Sequence, residues 1–124
     1  QLAQVNLGRR IQAFDGRPDL FEGMVHPRKA VGHPNIFFDT LVHDTISLDM
    51  MVKRLAGTDQ IIMGLDDPYP LGEMESDAQS SYPGKLLDLG FEEGIVNKDQ
   101  YKMIWEDNII RWLGFDPRER LKTS

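Results

Sequence analysis

An α/β chain built from parallel strand–helix units is what this sequence predicts, and three observations carry that reading. Ile36-Phe37-Phe38-Asp39-Thr40-Leu41-Val42 is dense in β-branched and aromatic residues, as a strand requires. A helical period follows, with Leu48, Met51, Val52 and Leu55 at i, i+3, i+4 and i+7 on one face. A second apolar run, from Gln60 to Gly64, then leads into Asp66 and Asp67. Apolar strands joined by an amphipathic helix imply parallel pairing. Parallel strands are ordinarily buried in larger sheets, and a free pair would leave both outer edges open. The pattern therefore predicts part of a larger sheet.

The remaining elements follow in order. Residues 2 to 14 carry Leu2, Val5, Leu7, Ile11 and Phe14, a loose helical pattern interrupted by Gly8. Asp15 to Asn35 holds three glycines and three prolines with no sustained period, and reads as a long loop with a helical turn around Leu20. Asp44 or Thr45 suits the start of the helix that follows the first strand, and Gly57 its end. After the acidic turn, Ser76 to Ser81 is a polar loop, and a short helix is expected from near Pro83 to Gly90. Asn97, with Gln100 three residues on, forms a capping box for a last helix. Its apolar stripe is Tyr101, Ile104, Trp105, Ile109, Trp112 and Leu113, and both tryptophans are expected to anchor the core.

Composition excludes several classes. Apolar residues at 40% and charged residues at 27% are ordinary globular values, which argues against global disorder. A net charge of −6 argues against a nucleic-acid binder and against a module for anionic membranes. No apolar run approaches the length of a membrane span. With no cysteine, any metal must be held by histidine and carboxylates, and the chain fits a reducing, cytoplasmic compartment. The chain starts at Gln1 inside a helical pattern, so its true N-terminus and any targeting signal are expected upstream.

The richest segment is Ile61-Ile62-Met63-Gly64-Leu65-Asp66-Asp67-Pro68-Tyr69-Pro70-Leu71-Gly72-Glu73, a buried strand ending in two carboxylates and a Pro-x-Pro turn. One reading is a polar turn in which Asp66 or Asp67 caps the next element. The other is an acid at the carboxyl end of a strand, where barrel enzymes place metal ligands and proton carriers.

That segment, with Pro83-Gly84-Lys85-Leu86, stands between Phe38-Asp39-Thr40-Leu41-Val42-His43-Asp44 and Asn108-Ile109-Ile110-Arg111-Trp112-Leu113-Gly114. Together, in this order and spacing, the three resemble the metal-dependent amidohydrolase superfamily, in its aminocarboxymuconate-semialdehyde decarboxylase (amidohydrolase 2) branch. The resemblance implies a distorted (β/α)8 TIM barrel, with residues 1–124 as the C-terminal portion of a single domain. That portion holds the last two strands and the closing helices, and is incomplete alone.

By the same resemblance Asp66 is the catalytic metal-site aspartate, ligating a divalent ion, usually zinc, and sharing a proton with its water. Arg9, in Leu7-Gly8-Arg9, falls where the family binds a substrate carboxylate, often in a neighbouring subunit's site, which leaves a homodimer open. A guanidinium suits that task through its two-pronged hydrogen bonding. A solvated helix arginine is the alternative for Arg9, and Arg10 could take the same role.

The family's His-x-His ligands, its central histidine and its catalytic histidine belong upstream of Gln1. His26 and His33 are expected to be exposed. His43 falls near the mouth of the barrel and is expected to orient a backbone group or helix start. Two departures stand out: Asp67 replaces an aromatic residue, and Ser76 to Tyr82 add about seven residues in a loop on the face where such barrels vary their substrates.

The implied activity is nonoxidative decarboxylation of an unsaturated or aromatic small-molecule carboxylate by a metal-dependent carboxy-lyase. A hydrolase of an ester, lactone or amide on the same barrel, and a non-catalytic barrel fragment, are the competing readings. A catalytic zinc takes about three protein ligands. The isolated chain is thus expected to be inactive without the upstream barrel segment.

Overall fold

In the computed structural model, residues 7–66 and 82–122 are described. At the centre stand two parallel strands, β1 (Phe38–Asp39) and β2 (Ile61–Ile62), paired Phe38 to Ile61 and Asp39 to Ile62. The helix between them (α3, Thr45–Leu55) makes the crossover that parallel pairing needs. Before β1 come α1 (Leu7–Gly16), a 3₁₀ turn (Pro18–Leu20) and α2 (Pro27–Val31). After β2 come α4 (Lys85–Glu92), α5 (Lys98–Lys102), a π-helical turn (Met103–Asp107), α6 (Asn108–Leu113) and α7 (Pro117–Leu121). The expected α/β class is observed, with two described strands. Among the described residues no helix is long and apolar enough to cross a membrane.

The core lies where α3, β2, α4 and the π turn meet, and is built from Val42, Leu48, Met51, Ile61, Leu86, Leu87, Val96 and Ile104. Leu48 and Met51 come from the predicted face of α3; Val52 and Leu55 are half-buried beside them. Gly90 permits the close approach of α4 to α3, since a Cβ there would stand 2.6 Å from Cδ2 of Leu48. The Asn97–Gln100 capping box forms as expected, both bonds at 2.9 Å.

Several expectations are corrected. The strands are shorter than Ile36–Val42 and Gln60–Gly64, because competing acceptors take their backbone donors. Val42 N–H turns back to the Thr40 carbonyl at 2.8 Å and Asp44 N–H to that of Val42 at 2.9 Å, ending β1. Met63 N–H leaves the sheet for the Ile104 carbonyl at 3.1 Å, ending β2. The left-handed residue closing α3 is Ala56 (φ 56°), not Gly57. The 15–35 loop contains α2, started by Pro27 and by His26, whose Nδ1 accepts the Arg28 N–H at 3.2 Å. Its expected turn around Leu20 is the 3₁₀ turn. The helix expected from near Pro83 starts at Lys85, after a Gly84 with φ 89°.

The last helix is interrupted by the π turn, and Trp112 is 55% exposed rather than a core anchor. Arg111 donates to the Asp59 carbonyl and stacks on Phe37, both at the amino ends of the strands. The last turn of α6 therefore runs past the two-stranded layer, and Trp112 finds no described element to cover it.

Candidate functional site

β2 delivers Asp66 to the carboxyl end of the parallel pair. Its carboxylate is exposed and has no partner among the described residues, and its backbone is left-handed (φ 55°). The alternative, Asp66 or Asp67 as the cap of the next element, depends on a segment outside the described residues. Asp67 and Ser76–Ser81 lie outside the described residues. A non-glycine residue at positive φ persists only where its surroundings hold it.

Those surroundings are visible two residues back, at Gly64. Thr40, 2% exposed at the end of β1, accepts the Gly64 N–H at 3.2 Å. Its hydroxyl proton faces the Gly64 carbonyl at 3.3 Å and the Met63 sulfur at 3.2 Å. Gly64 is required for this approach: a Cβ would stand 2.7 Å from Cβ of Asp39. Thr40 and Gly64 together lash the ends of the two strands to each other. Asp39, exposed at the end of β1 with Oδ1 accepting the Leu41 N–H at 3.2 Å, adds a second carboxylate to this end.

From behind, the last helix clamps β2. Asn108, 1% exposed, donates from Nδ2 to the carbonyls of Thr58 and Ile61, each at 2.7 Å. Inside the π turn the Asn108 N–H bonds to the Met103 carbonyl, five residues back. Ile104 thereby loses its ordinary α-helical donor, and its carbonyl accepts the Met63 N–H instead. A helix irregularity thus holds the strand three residues before Asp66. The amino end of the pair is fixed by Gln60, whose Nε2 reaches the carbonyls of Val31, His33 and Ile36 at 2.8 to 2.9 Å.

Sequence reading missed these positioning residues. Asn108 stands four residues after buried Ile104, on the apolar stripe itself, and a polar residue there was the available signal. Gln60 and Thr40 carried no signal beyond their place at strand ends.

The histidines do not converge on Asp66. His33 is exposed, with Nδ1 accepting the Asn35 N–H at 3.2 Å. His26 is half-buried rather than exposed, against Phe14 and 3.4 Å from Asp15. His43, exposed with φ 64°, sits at the turn just before α3. Asp44, not His43, starts that helix, accepting the Ser47 N–H at 2.6 Å; this backbone bond holds the Asp44 carboxyl below its ordinary range.

Arg9 is exposed on α1. Neighbouring Gly8 packs on the Arg54 guanidinium, near the C-terminal end of α3 and so at the amino end of the strands. The structure therefore does not bring Arg9 to Asp66 within one chain. Among the described residues no group of three His, Cys, Asp or Glu side chains could hold a metal ion. These residues do not by themselves fit a metal centre; Asp66 offers one ligand.

An exposed acid just past the carboxyl end of a parallel strand, without a partner among the described residues, stands where α/β enzymes commonly carry ligands. Comparison with known proteins gives that position a specific context. No family model matches the chain. The chain is 32% identical over 117 residues, 93% of its length, to a 2-amino-3-carboxymuconate-6-semialdehyde decarboxylase of Dictyostelium discoideum. It is 39% identical over 111 residues, 88% of its length, to the protein of the same name from Caenorhabditis elegans. The chain spans only about a quarter of these relatives, 29% of the first and 24% of the second. Over nearly its whole length it is homologous to a segment of the aminocarboxymuconate-semialdehyde decarboxylases, the amidohydrolase branch its motifs resemble.

Proposed function

We propose that residues 1–124 are the C-terminal portion of a metal-dependent amidohydrolase-type barrel that decarboxylates an unsaturated or aromatic carboxylate without an external oxidant. Asp66 carries the proposal: an exposed, unpartnered carboxylate at a strand end held by Thr40, Gly64, Asn108 and the π turn. The decarboxylase names of the relatives support the reaction class.

In this reading Asp66 would serve as one ligand of a divalent ion, zinc, and would share a proton with the water such an ion binds. When bound, such an ion polarises substrate oxygens and acidifies water. The remaining ligands come from segments outside this chain. In the same reading Arg9, which lies on α1 toward the amino end of the strands, would bind a substrate carboxylate in a neighbouring subunit of a homodimer.

The test compares the relative-length protein with its Asp66→Ala form on a panel of unsaturated and aromatic carboxylates. CO₂ release should fall at least about a hundredfold in the variant, with loss of bound metal. The 124-residue chain alone should neither release CO₂ nor bind zinc stoichiometrically. No CO₂ from any carboxylate would sink the decarboxylase reading, and acid release without CO₂ would transfer it to a hydrolase. Unchanged metal content in Asp66→Ala would remove Asp66 from the centre.

A further inference from the structure

At the end of the sheet opposite Asp66, a cavity of about 280 Å³ opens between α1, α2 and the end of α3. Its walls include Leu7, Val31 and Leu55, and it is also lined by Arg28, Arg54 and Gln60. Leu7 is 3% exposed, and Val31 and Leu55 are half-buried. The cavity thus combines apolar lining with two cationic side chains.

Among the described residues Arg28 and Arg54 have no ion pair, whereas Arg17 and Arg118 are each paired to a carboxylate. The place of Arg54 is specified: a Cβ at Gly8 would stand 3.5 Å from its Nη1 and 3.6 Å from its Nη2, so α1 presents a bare backbone to the guanidinium. Lining residue Gln60 also ties the start of β2 to the Val31 and Ile36 carbonyls. An apolar recess with convergent, unspent charges is the usual build of a small-ligand site. Paired guanidiniums select an anion, and their planar forks match the two oxygens of a carboxylate.

We propose that this cavity binds a small organic carboxylate with a compact apolar body. Arg28 and Arg54 take the charge, while Leu7, Val31 and Leu55 enclose the body. The site uses neither Asp66 nor a metal, so it stands or falls separately from the proposed decarboxylation.

The test is calorimetric titration of the 124-residue chain with benzoate, benzamide, acetate and inorganic phosphate. Benzoate should bind saturably at one site, with benzamide, acetate and phosphate each weaker by about tenfold or more. Arg54→Gln and Arg28→Gln should each weaken benzoate by about tenfold while leaving benzamide unchanged, with circular dichroism and melting as in the parent. Absence of saturable benzoate binding overturns the proposal. So does benzamide binding as tightly as benzoate, which would mean a merely apolar cleft. Acetate or phosphate equal to benzoate would mean a bare surface anion site, and benzoate binding unchanged in both glutamine variants would place the ligand elsewhere. If a variant fails to fold, the comparison among the four ligands on the unaltered chain decides.

Discussion

Asn108→Ala tests whether one buried amide holds the strand that carries Asp66. In the folded chain the Asn108 side chain is 1% exposed and its Nδ2 donates to the Thr58 and Ile61 carbonyls at 2.7 Å each. Truncation removes both bonds at once. The Thr58 carbonyl keeps a second partner, the Ile61 N–H at 3.1 Å, so its loss is partial. The Ile61 carbonyl is the group left unpaired beside a void. An unsatisfied buried acceptor costs about 1–3 kcal/mol, and a lost bond to a group that keeps a partner about 1 kcal/mol. The sum is about 2–4 kcal/mol, a large part of the roughly 5–15 kcal/mol that keeps a domain folded. Urea unfolding followed by far-UV circular dichroism measures it. Asn108→Asp sharpens the test, because a carboxylate would face two carbonyl oxygens with no donor between them. That variant should be at least as unstable as the alanine form at neutral pH. It should recover as pH falls, when a protonated acid can donate one bond again. A loss below about 0.5 kcal/mol in Asn108→Ala, the range of an inert surface change, would refute the clamp.

Two further predictions concern other parts of the same support. Gly84 has φ 89°, and a Cβ there would meet Cζ2 of Trp105 at 2.3 Å, whereas Gly94 (φ 75°) has nothing within 4 Å. Gly94→Ala should thus cost only the left-handed backbone term, about 1–2 kcal/mol, and Gly84→Ala at least about 1 kcal/mol more for overpacking; equal losses in urea melts would refute the packing of Gly84 on Trp105. Asp44 is held below the ordinary carboxylate range by the Ser47 N–H, so folding favours its charged form. Its contribution is complete above the unfolded value of about 4 and is lost as pH falls below it. Asn accepts the same bond without titrating, so Asp44→Asn should flatten the acid limb of the stability–pH curve, and an unaltered limb would exclude Asp44 as its source.

What the sequence made legible was the periodic and the local. The α3 face, the Asn97 capping box and the parallel strand–helix–strand order depend on spacing and on neighbours within a few residues, and all three are present. The ends of elements were not legible where a distant group competes for a backbone bond. Met63 leaves the sheet because a carbonyl 41 positions later is freed by the π turn, and no local pattern encodes that. Trp112 illustrates the same limit. Its heptad spacing from Trp105 predicts a shared buried face, but burial also needs a layer opposite, and the helix passes the end of the strands before Trp112 is reached. At the site, the position of Asp66 after an apolar run was readable from order alone. Its supports were not, because Asn108, Thr40 and Ile104 act from elsewhere in the chain.

This division bears on how a metal site would be assembled from such a chain. The bonds that fix the approach to Asp66 all come from residues within it: Thr40 to Gly64, Ile104 to Met63, Asn108 to Ile61. The backbone leading to Asp66 is therefore held as far as Gly64 before any ligand arrives. Affinity is a different matter. One carboxylate in water holds a divalent ion weakly, and a catalytic zinc site takes about three protein ligands. Among the described residues no such set exists. If Asp66 is a metal ligand, a strand end held this way lowers the ordering cost when other ligands dock, without creating a site alone. On this reasoning Asn108→Ala in a relative-length protein should weaken metal binding even though Asn108 touches no ligand, and Asn108→Ala with Asp66→Ala together should be no worse for metal than Asp66→Ala alone. Additive losses would mean that Asn108 supports the metal site by a route other than the strand end.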